Sequence, residues 1–131
     1  MSSIFADPTN PNHAIVTFSG FDSNTPTTPG HVFDVVYDPG TGLATWTNIS
    51  YDLGDQPIND AVLDTDNGNL FVSTDFGVLL LANGTQTWTP AADGLPPAAV
   101  SGLTIARAQH GHAQFIYAAT HGRGAYRLKL H

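Results

Sequence analysis

The chain has 131 residues, a length that predicts one domain around a single core rather than two domains. It is acidic, with 11 Asp, no Glu, four basic residues and a net charge of −7. This balance excludes a surface for nucleic acid or anionic membranes, because such surfaces need clustered Lys and Arg, and the absence of Cys excludes disulfides and cysteine nucleophiles.

The composition favours strands over helices. Thirteen Gly and nine Pro, with frequent Thr, Asn and Asp, are typical of tight turns between short strands. Long charged side chains, which stabilise exposed helices, are scarce. No apolar run approaches the ~20 residues needed to span a bilayer, and the first residues lack a basic, then apolar leader. We therefore predict an all-β chain without a membrane segment.

Three groups of apolar runs follow one another along the chain. The first group covers residues 3–7, 13–19 and 31–37 and ends at Thr45-Trp46-Thr47. The second covers residues 58–64, 69–75 and 77–82 and ends at Thr87-Trp88-Thr89. The third covers residues 100–106, 115–120 and 124–130 and has no fourth strand. We predict a single segment of three repeats, at about 1–50, 57–91 and 97–131.

The period and the burial pattern indicate how these repeats are arranged. Trp46 and Trp88 stand 42 residues apart, a spacing typical of propeller blades. Residues 77–82 form a continuous apolar run, whereas a strand with one wet face would alternate apolar and polar residues. Four-stranded sheets covered on both faces predict a β-propeller fragment of three blades, the last without its own fourth strand. A β-sandwich is the alternative.

Several motifs also resemble a known family. Thr74-Asp75-Phe76-Gly77-Val78, the turn before Trp88 at residues 83–88, Gly94-Leu95-Pro96 and the closing residues 119–127 resemble the Asp-box (BNR-repeat) β-propellers. Asn83 and Leu81 stand where the family turn has Asp and Ser, so the boxes are degenerate. The resemblance, to the C-terminal blades of secreted bacterial sialidase, xyloglucanase and sortilin-like propellers, implies the fold and an extracellular or periplasmic location.

Three blades are too few to close a ring, since propellers close with about four to eight. Each end of the segment would expose an apolar face, and the third blade would expose an unpaired strand edge. We therefore expect either a homo-oligomer, most simply two copies completing a six-bladed ring about a two-fold axis, or further blades of a longer chain.

Candidate binding residues lie mainly in turns. His121 and Arg123 occupy a Gly-flanked turn where a cation can meet an anionic ligand. A structural role is favoured, in which Arg123 pairs with an Asp such as Asp75 or donates to carbonyl groups. Asp75 is expected to hold its own turn. Phe21, in the loop of residues 20–30, is a candidate contact residue on the rim.

Carboxylates raise the question of glycoside hydrolysis, which needs two of them flanking the sugar bond. Asp55 and Asp60, with Asp22 and Asp34, could face one rim, but no spacing selects a pair, so no catalytic residue is assigned. The sequence favours a non-catalytic scaffold or binding module. A glycoside hydrolase fragment forming one wall of a polysaccharide cleft is the alternative, and carbohydrate is a candidate ligand.

The six histidines do not converge in the sequence. His110-Gly111-His112 is the closest approach to a metal motif, and it lacks a neighbouring carboxylate or a third ligand. We predict no metal site and no cofactor.

Overall fold

The computed structural model describes residues 1–21, 30–91, 98–107, 113–122 and 124–130. These residues form eleven β-strands and contain no helix, which confirms the all-β prediction. With no helix in these ranges, none there is long and apolar enough to cross a membrane. The strands are β1 (Ser3–Ala6), β2 (His13–Thr17), β3 (Val32–Asp38), β4 (Leu43–Asn48), β5 (Ile58–Asp64), β6 (Asn69–Thr74), β7 (Gly77–Leu81), β8 (Trp88–Pro90), β9 (Val100–Arg107), β10 (Ala113–Thr120) and β11 (Ala125–Lys129).

The strands form three antiparallel sheets in chain order. The first sheet is β1–β2–β3–β4, the middle sheet is β5–β6–β7–β8, and the third sheet is β9–β10–β11. Every neighbouring pair within a sheet is consecutive in the chain, so each sheet is a simple meander. The numbers of strands, four, four and three, match the three groups of apolar runs in the sequence.

The middle sheet is covered on both faces, as its continuous apolar run predicts. Ala61, Leu70 and Leu81 belong to a core shared with the first sheet. Val62 and Phe71, which alternate with them, belong to a second core shared with the third sheet. The core therefore differs from the single one expected from length, because the middle sheet divides it into two layers. Each fully buried aliphatic side chain in these layers contributes roughly 1.5–3 kcal/mol relative to an exposed one.

One ladder of side chains recurs in all three sheets. In the cross-strand pairings, Trp46 lies opposite Val35 and Trp88 lies opposite Leu81. The successive cross-strand pairs of each sheet form equivalent rows. These rows are Ala6, Ala14, Val35 and Trp46 in the first sheet; Leu63, Leu70, Leu81 and Trp88 in the middle sheet; and Ile105, Ile116 and Leu128 in the third. The internal repeat is thus present in the strand register, not only in sequence spacing.

The equivalent rows meet different surroundings. The middle-sheet row faces the first sheet, and the third-sheet row faces the middle sheet. Because side chains alternate along a strand, the first-sheet row lies on the face opposite Ile15 and Val32, which pack against the middle sheet. On that face Ile4, Ala6 and Trp46 are exposed, whereas Val16 is buried. Trp88 is 8% exposed, whereas Trp46 is 50% exposed.

Candidate functional site

The first strands of the three sheets, β1, β5 and β9, meet at Asp60. Its Oδ1 accepts hydrogen bonds from the Ser3 hydroxyl on β1 at 2.6 Å and from its neighbour Ala61 N–H at 2.8 Å. Its Oδ2 accepts the Leu103 N–H on β9 at 2.9 Å. The register of β5 shifts between Ile58 and Asp60, an irregularity of the kind that re-aims a side chain. One carboxylate therefore joins all three sheets.

Asp60 also borders a cleft of about 370 Å³ between β1, β5 and β9. Ile4 and Phe5 contribute apolar surface, and Thr104 and Arg107 contribute polar groups. Arg107 lies near the β5–β6 turn, donating to Thr65 Oγ1 at 3.1 Å and lying 3.9 Å from an Asp66 oxygen. The cleft has mixed lining, and the hydrogen bonds of Asp60 are directed to the chain itself.

Asp75 and His121 both lie beside the start of β9. Asn59 Nδ2 donates to Asp75 Oδ1 at 3.1 Å and to the Val100 carbonyl at 3.0 Å, so Asp75 takes part in a link from the middle sheet to the third. The backbone N–H of His121 donates to the Ala99 carbonyl at 2.8 Å, and its side chain is exposed. Arg123, the expected partner of Asp75, lies outside the described residues.

The β6–β7 turn is held by Thr74 rather than by Asp75. Thr74 Oγ1 accepts the Phe76 N–H at 3.0 Å and donates to the Gly77 carbonyl at 3.1 Å. In the third sheet, Thr120 Oγ1 donates in the same way to the Gly124 carbonyl. A threonine hydroxyl closing the turn is therefore part of the repeat, and it leaves the Asp75 carboxylate to face Asn59.

Asp55 lies in the segment that connects the first two sheets. Its Oδ1 is 3.0 Å from Nε2 of His31, a side chain only 1% exposed, while Nδ1 of His31 is 3.3 Å from the Phe18 carbonyl. Ser50 Oγ, on the same segment, accepts the backbone N–H groups of His31 and Val32 at 2.9 and 3.1 Å. The ring nitrogens of His31 thus face acceptors and Ser50 caps backbone groups, which is a structural arrangement rather than a nucleophile with its base.

A second histidine bridges two carboxylates. His13 Nδ1 is 2.7 Å from Asp7 Oδ2, and Nε2 forms a short contact with Asp34 Oδ1 across the β2–β3 pair. Burial lowers the pKa of His13, but the hydrogen bonds and charges of both carboxylates outweigh it and the net pKa is raised above 6.5. Burial raises the pKa of Asp7, yet hydrogen bonds from Thr9 and His13 bring it down to about 2. The bridge therefore favours the charged form of His13 and the ionised form of Asp7.

His13 and Asp34 form one wall of a cleft of about 490 Å³ between the first and middle sheets. Tyr51, Asn83 and Gln86 contribute polar and aromatic surface to it. Tyr51 also borders a neighbouring cleft of about 410 Å³ that contains His31 and Asp55. Its backbone has φ of 44°, in the left-handed region that strains a side chain with a Cβ by roughly 1–2 kcal/mol. The strain marks this connecting segment as tightly constrained by its neighbours.

The remaining site predictions meet the structure only in part. Phe21 is about half exposed at the end of a described range, whereas Asp22 lies outside it. His110 and His112 are likewise outside the described residues. Within the portion of the chain that is described, no three His or Asp side chains converge as ligands for a metal ion. The His13 bridge and Tyr51 had no sequence signal, because both depend on which residues face each other across strands.

Comparison of the chain with protein-family models, with curated proteins and with solved structures gave no significant match in any of the three.

Proposed function

We propose that this chain is a non-catalytic structural segment of an Asp-box-type β-propeller. Its three sheets act as consecutive blades, and the first sheet docks a further sheet of the same repeat. The docking surface is the open face, defined as the side of the first sheet formed by the rows Ala6, Ala14, Val35, Trp46 and Ile4, Val16, Phe33, Asn48.

The contrast between Trp46 and Trp88 carries the proposal. Trp88 lies in the core between two sheets, and its indole Nε1 donates to the Ile49 carbonyl of the segment that follows the first sheet. Trp46 has the equivalent position in its own sheet and is half exposed. Since every equivalent row further along the chain is covered by the preceding sheet, the open face has the chemistry of a surface that a preceding sheet covers.

The composition of the open face supports the same reading. Seven of its eight positions are apolar, the exception being Asn48. Ile4, on the β1 edge of this face, is 60% exposed. Phe33 packs edge-on against Trp46, with ring centroids 6.0 Å apart. Apolar side chains exposed together on one face of a sheet, as Ile4, Ala6 and Trp46 are, are typical of a protein interface.

The described carboxylates favour a scaffold over a glycoside hydrolase. Asp60 accepts three hydrogen bonds from the chain itself, and Asp55 pairs with His31. A retaining or inverting hydrolase needs a carboxylic acid and a second carboxylate directed at the sugar from opposite sides. The contacts of Asp55 and Asp60 instead fix the positions of neighbouring strands.

Sedimentation velocity over a range of protein concentrations tests the proposal. The wild-type chain is expected to associate to a mass above 13.8 kDa. Trp46→Gln removes the largest side chain of the open face and is expected to weaken association at least about tenfold. Phe76→Gln is the matched control, since Phe76 is 74% exposed but lies in the β6–β7 turn. A well-behaved 13.8 kDa monomer at every concentration would contradict the proposal.

A further inference from the structure

The third sheet is one strand shorter than the other two. In the first and middle sheets, β4 and β8 pair with the third strand of the meander, at Trp46–Val35 and Trp88–Leu81. Within the described ranges, no strand pairs with the outer edge of β11. An unpaired edge presents a row of N–H and C=O groups that a further strand can extend.

The outer edge of β11 is also equivalent to the edge of β7 along which β8 places Trp88. Leu128 is equivalent to Leu81, because each lies opposite the corresponding residue of its central strand, Ile116 and Leu70. Both Leu128 and Ile116 are buried in the core between the middle and third sheets. An aromatic side chain placed opposite Leu128 would extend that core, as Trp88 extends the core between the first two sheets.

The Ile49 carbonyl, which accepts the Trp88 indole N–H, has an equivalent at Ala91. The Ile49 carbonyl accepts the Trp88 indole N–H at 3.2 Å, and Ile49 N–H itself donates to Val32 at 2.9 Å. Ala91 follows the middle sheet at the matching place, with its N–H donating to Val78 at 3.0 Å. Ala91 is partly buried against the second core. The surface beside β11 is therefore continuous with the interface between the middle and third sheets.

We infer that the outer edge of β11 is a binding site for an extended polypeptide strand with a central tryptophan flanked by threonines, the pattern of β4 and β8. The strand adds to the third sheet through backbone hydrogen bonds, and its indole packs beside Leu128 and donates to the Ala91 carbonyl. The chain has two Trp, both already in β4 and β8, so the strand comes from polypeptide outside these 131 residues. This inference deepens the proposed function by naming a second partner at the opposite end of the segment.

Fluorescence anisotropy with a labelled peptide tests the site on the full chain. The probe copies residues 83–91, Asn-Gly-Thr-Gln-Thr-Trp-Thr-Pro-Ala, and the control peptide has Ala in place of Trp. We expect saturable binding of the probe and at least about tenfold weaker binding of the control, because a buried aromatic anchor dominates such contacts. Leu128→Ala in the chain is expected to weaken binding similarly, and the paired peptides keep the test valid if that variant folds poorly.

A second arm separates this site from the open face. Trp46→Gln alters only the open face, so it is expected to leave probe binding unchanged while weakening self-association. Equal binding of the two peptides, or no binding up to about 1 mM probe, would overturn the strand site whatever the sedimentation result. Loss of binding in Trp46→Gln with no effect of Leu128→Ala would also overturn it, by placing the peptide on the open face.

Discussion

The Asp60 carboxylate on β5 accepts the backbone N–H of Leu103 on β9 at 2.9 Å, so a side chain of the middle sheet satisfies a main-chain donor of the third. The other oxygen of Asp60 accepts the Ser3 hydroxyl of the first sheet. An edge N–H buried without a partner costs free energy comparable to a lost hydrogen bond. Asp60 thus provides the acceptor for a backbone N–H at the edge strand β9 of the third sheet, and it links β9 to the other two sheets.

Asp60→Asn is expected to lower the free energy of unfolding by about 2 kcal/mol. The amide offers one acceptor oxygen where three donors converge, so at least one partly buried donor loses its partner. Asp38→Asn is the control, because Asp38 accepts a single backbone N–H, that of Gly40, in an exposed turn. Urea denaturation of both variants measures the difference, and equal losses would contradict the linking role of Asp60.

Ser73→Ala is expected to leave the free energy of unfolding unchanged or to raise it by up to about 1 kcal/mol. The Ser73 hydroxyl is fully buried and has no hydrogen-bond partner among the described residues, so its removal relieves a desolvation cost. The register places Ala119 at the equivalent position in the third sheet and Thr17 in the first. The third sheet therefore already carries the substituted side chain.

Thr17→Val provides the opposite outcome at the equivalent position. Ser2 Oγ donates to the Ile58 carbonyl and lies 2.8 Å from Thr17 Oγ1, so the Thr17 hydroxyl donates to Ser2. Valine keeps the shape and removes that hydrogen bond, which is expected to cost about 1 kcal/mol in thermal or urea unfolding. A loss for Ser73→Ala as large as that for Thr17→Val would contradict the assignment of the two hydroxyls.

The His13 bridge predicts a pH-dependent stability with a defined window. The folded state raises the pKa of His13 above 6.5, so protonated His13 contributes fully below that pH, and the contribution disappears as pH rises through the folded-state pKa. The folded state lowers the pKa of Asp7 from 3.8 to about 2, so its contribution is present above pH 3.8 and is lost as pH falls through about 2. The bridge therefore stabilises the folded state most between pH 3.8 and pH 6.5.

His13→Gln isolates this contribution from the other five histidines. The variant is expected to be less stable than wild type, and the difference in unfolding free energy should be larger at about pH 5 than at about pH 9. Urea titrations of the two proteins at both pH values measure it. A difference that stays constant or grows toward alkaline pH would show that the bridge does not favour charged His13.

The strand content and the repeat were readable from the sequence. Tight-turn composition, the two Thr-Trp-Thr motifs and the unbroken apolar run at residues 77–82 predicted three groups of strands and a middle sheet buried on both faces. These signals are local or periodic, and a strand's burial pattern follows directly from its alternation. The all-β class and the four, four, three division are confirmed.

The contacts that fix side chains between strands were not readable in the same way. The sequence offers Asp60 only as one of several carboxylates that could face a rim. Its hydrogen bonds to Ser3 and Leu103 depend on a register shift in β5 and on the placement of three sheets. His13 carries no sequence signal, because its pairing with Asp34 requires the β2–β3 register. A one-residue slip would turn every such side chain to the other face, so these networks emerge only with the fold.

The central claim is that another sheet covers the open face, and the exposure of Trp46 tests it most directly. In protein labelled with 5-fluorotryptophan, the ¹⁹F shift between H₂O and D₂O reports the solvent contact of each indole, and Trp88 serves as the internal reference. The account predicts that the Trp46 signal loses its solvent shift as protein concentration rises, while the small shift of Trp88 stays constant. A Trp46 signal that keeps its full solvent shift at every concentration, in protein that remains a 13.8 kDa monomer, would contradict it.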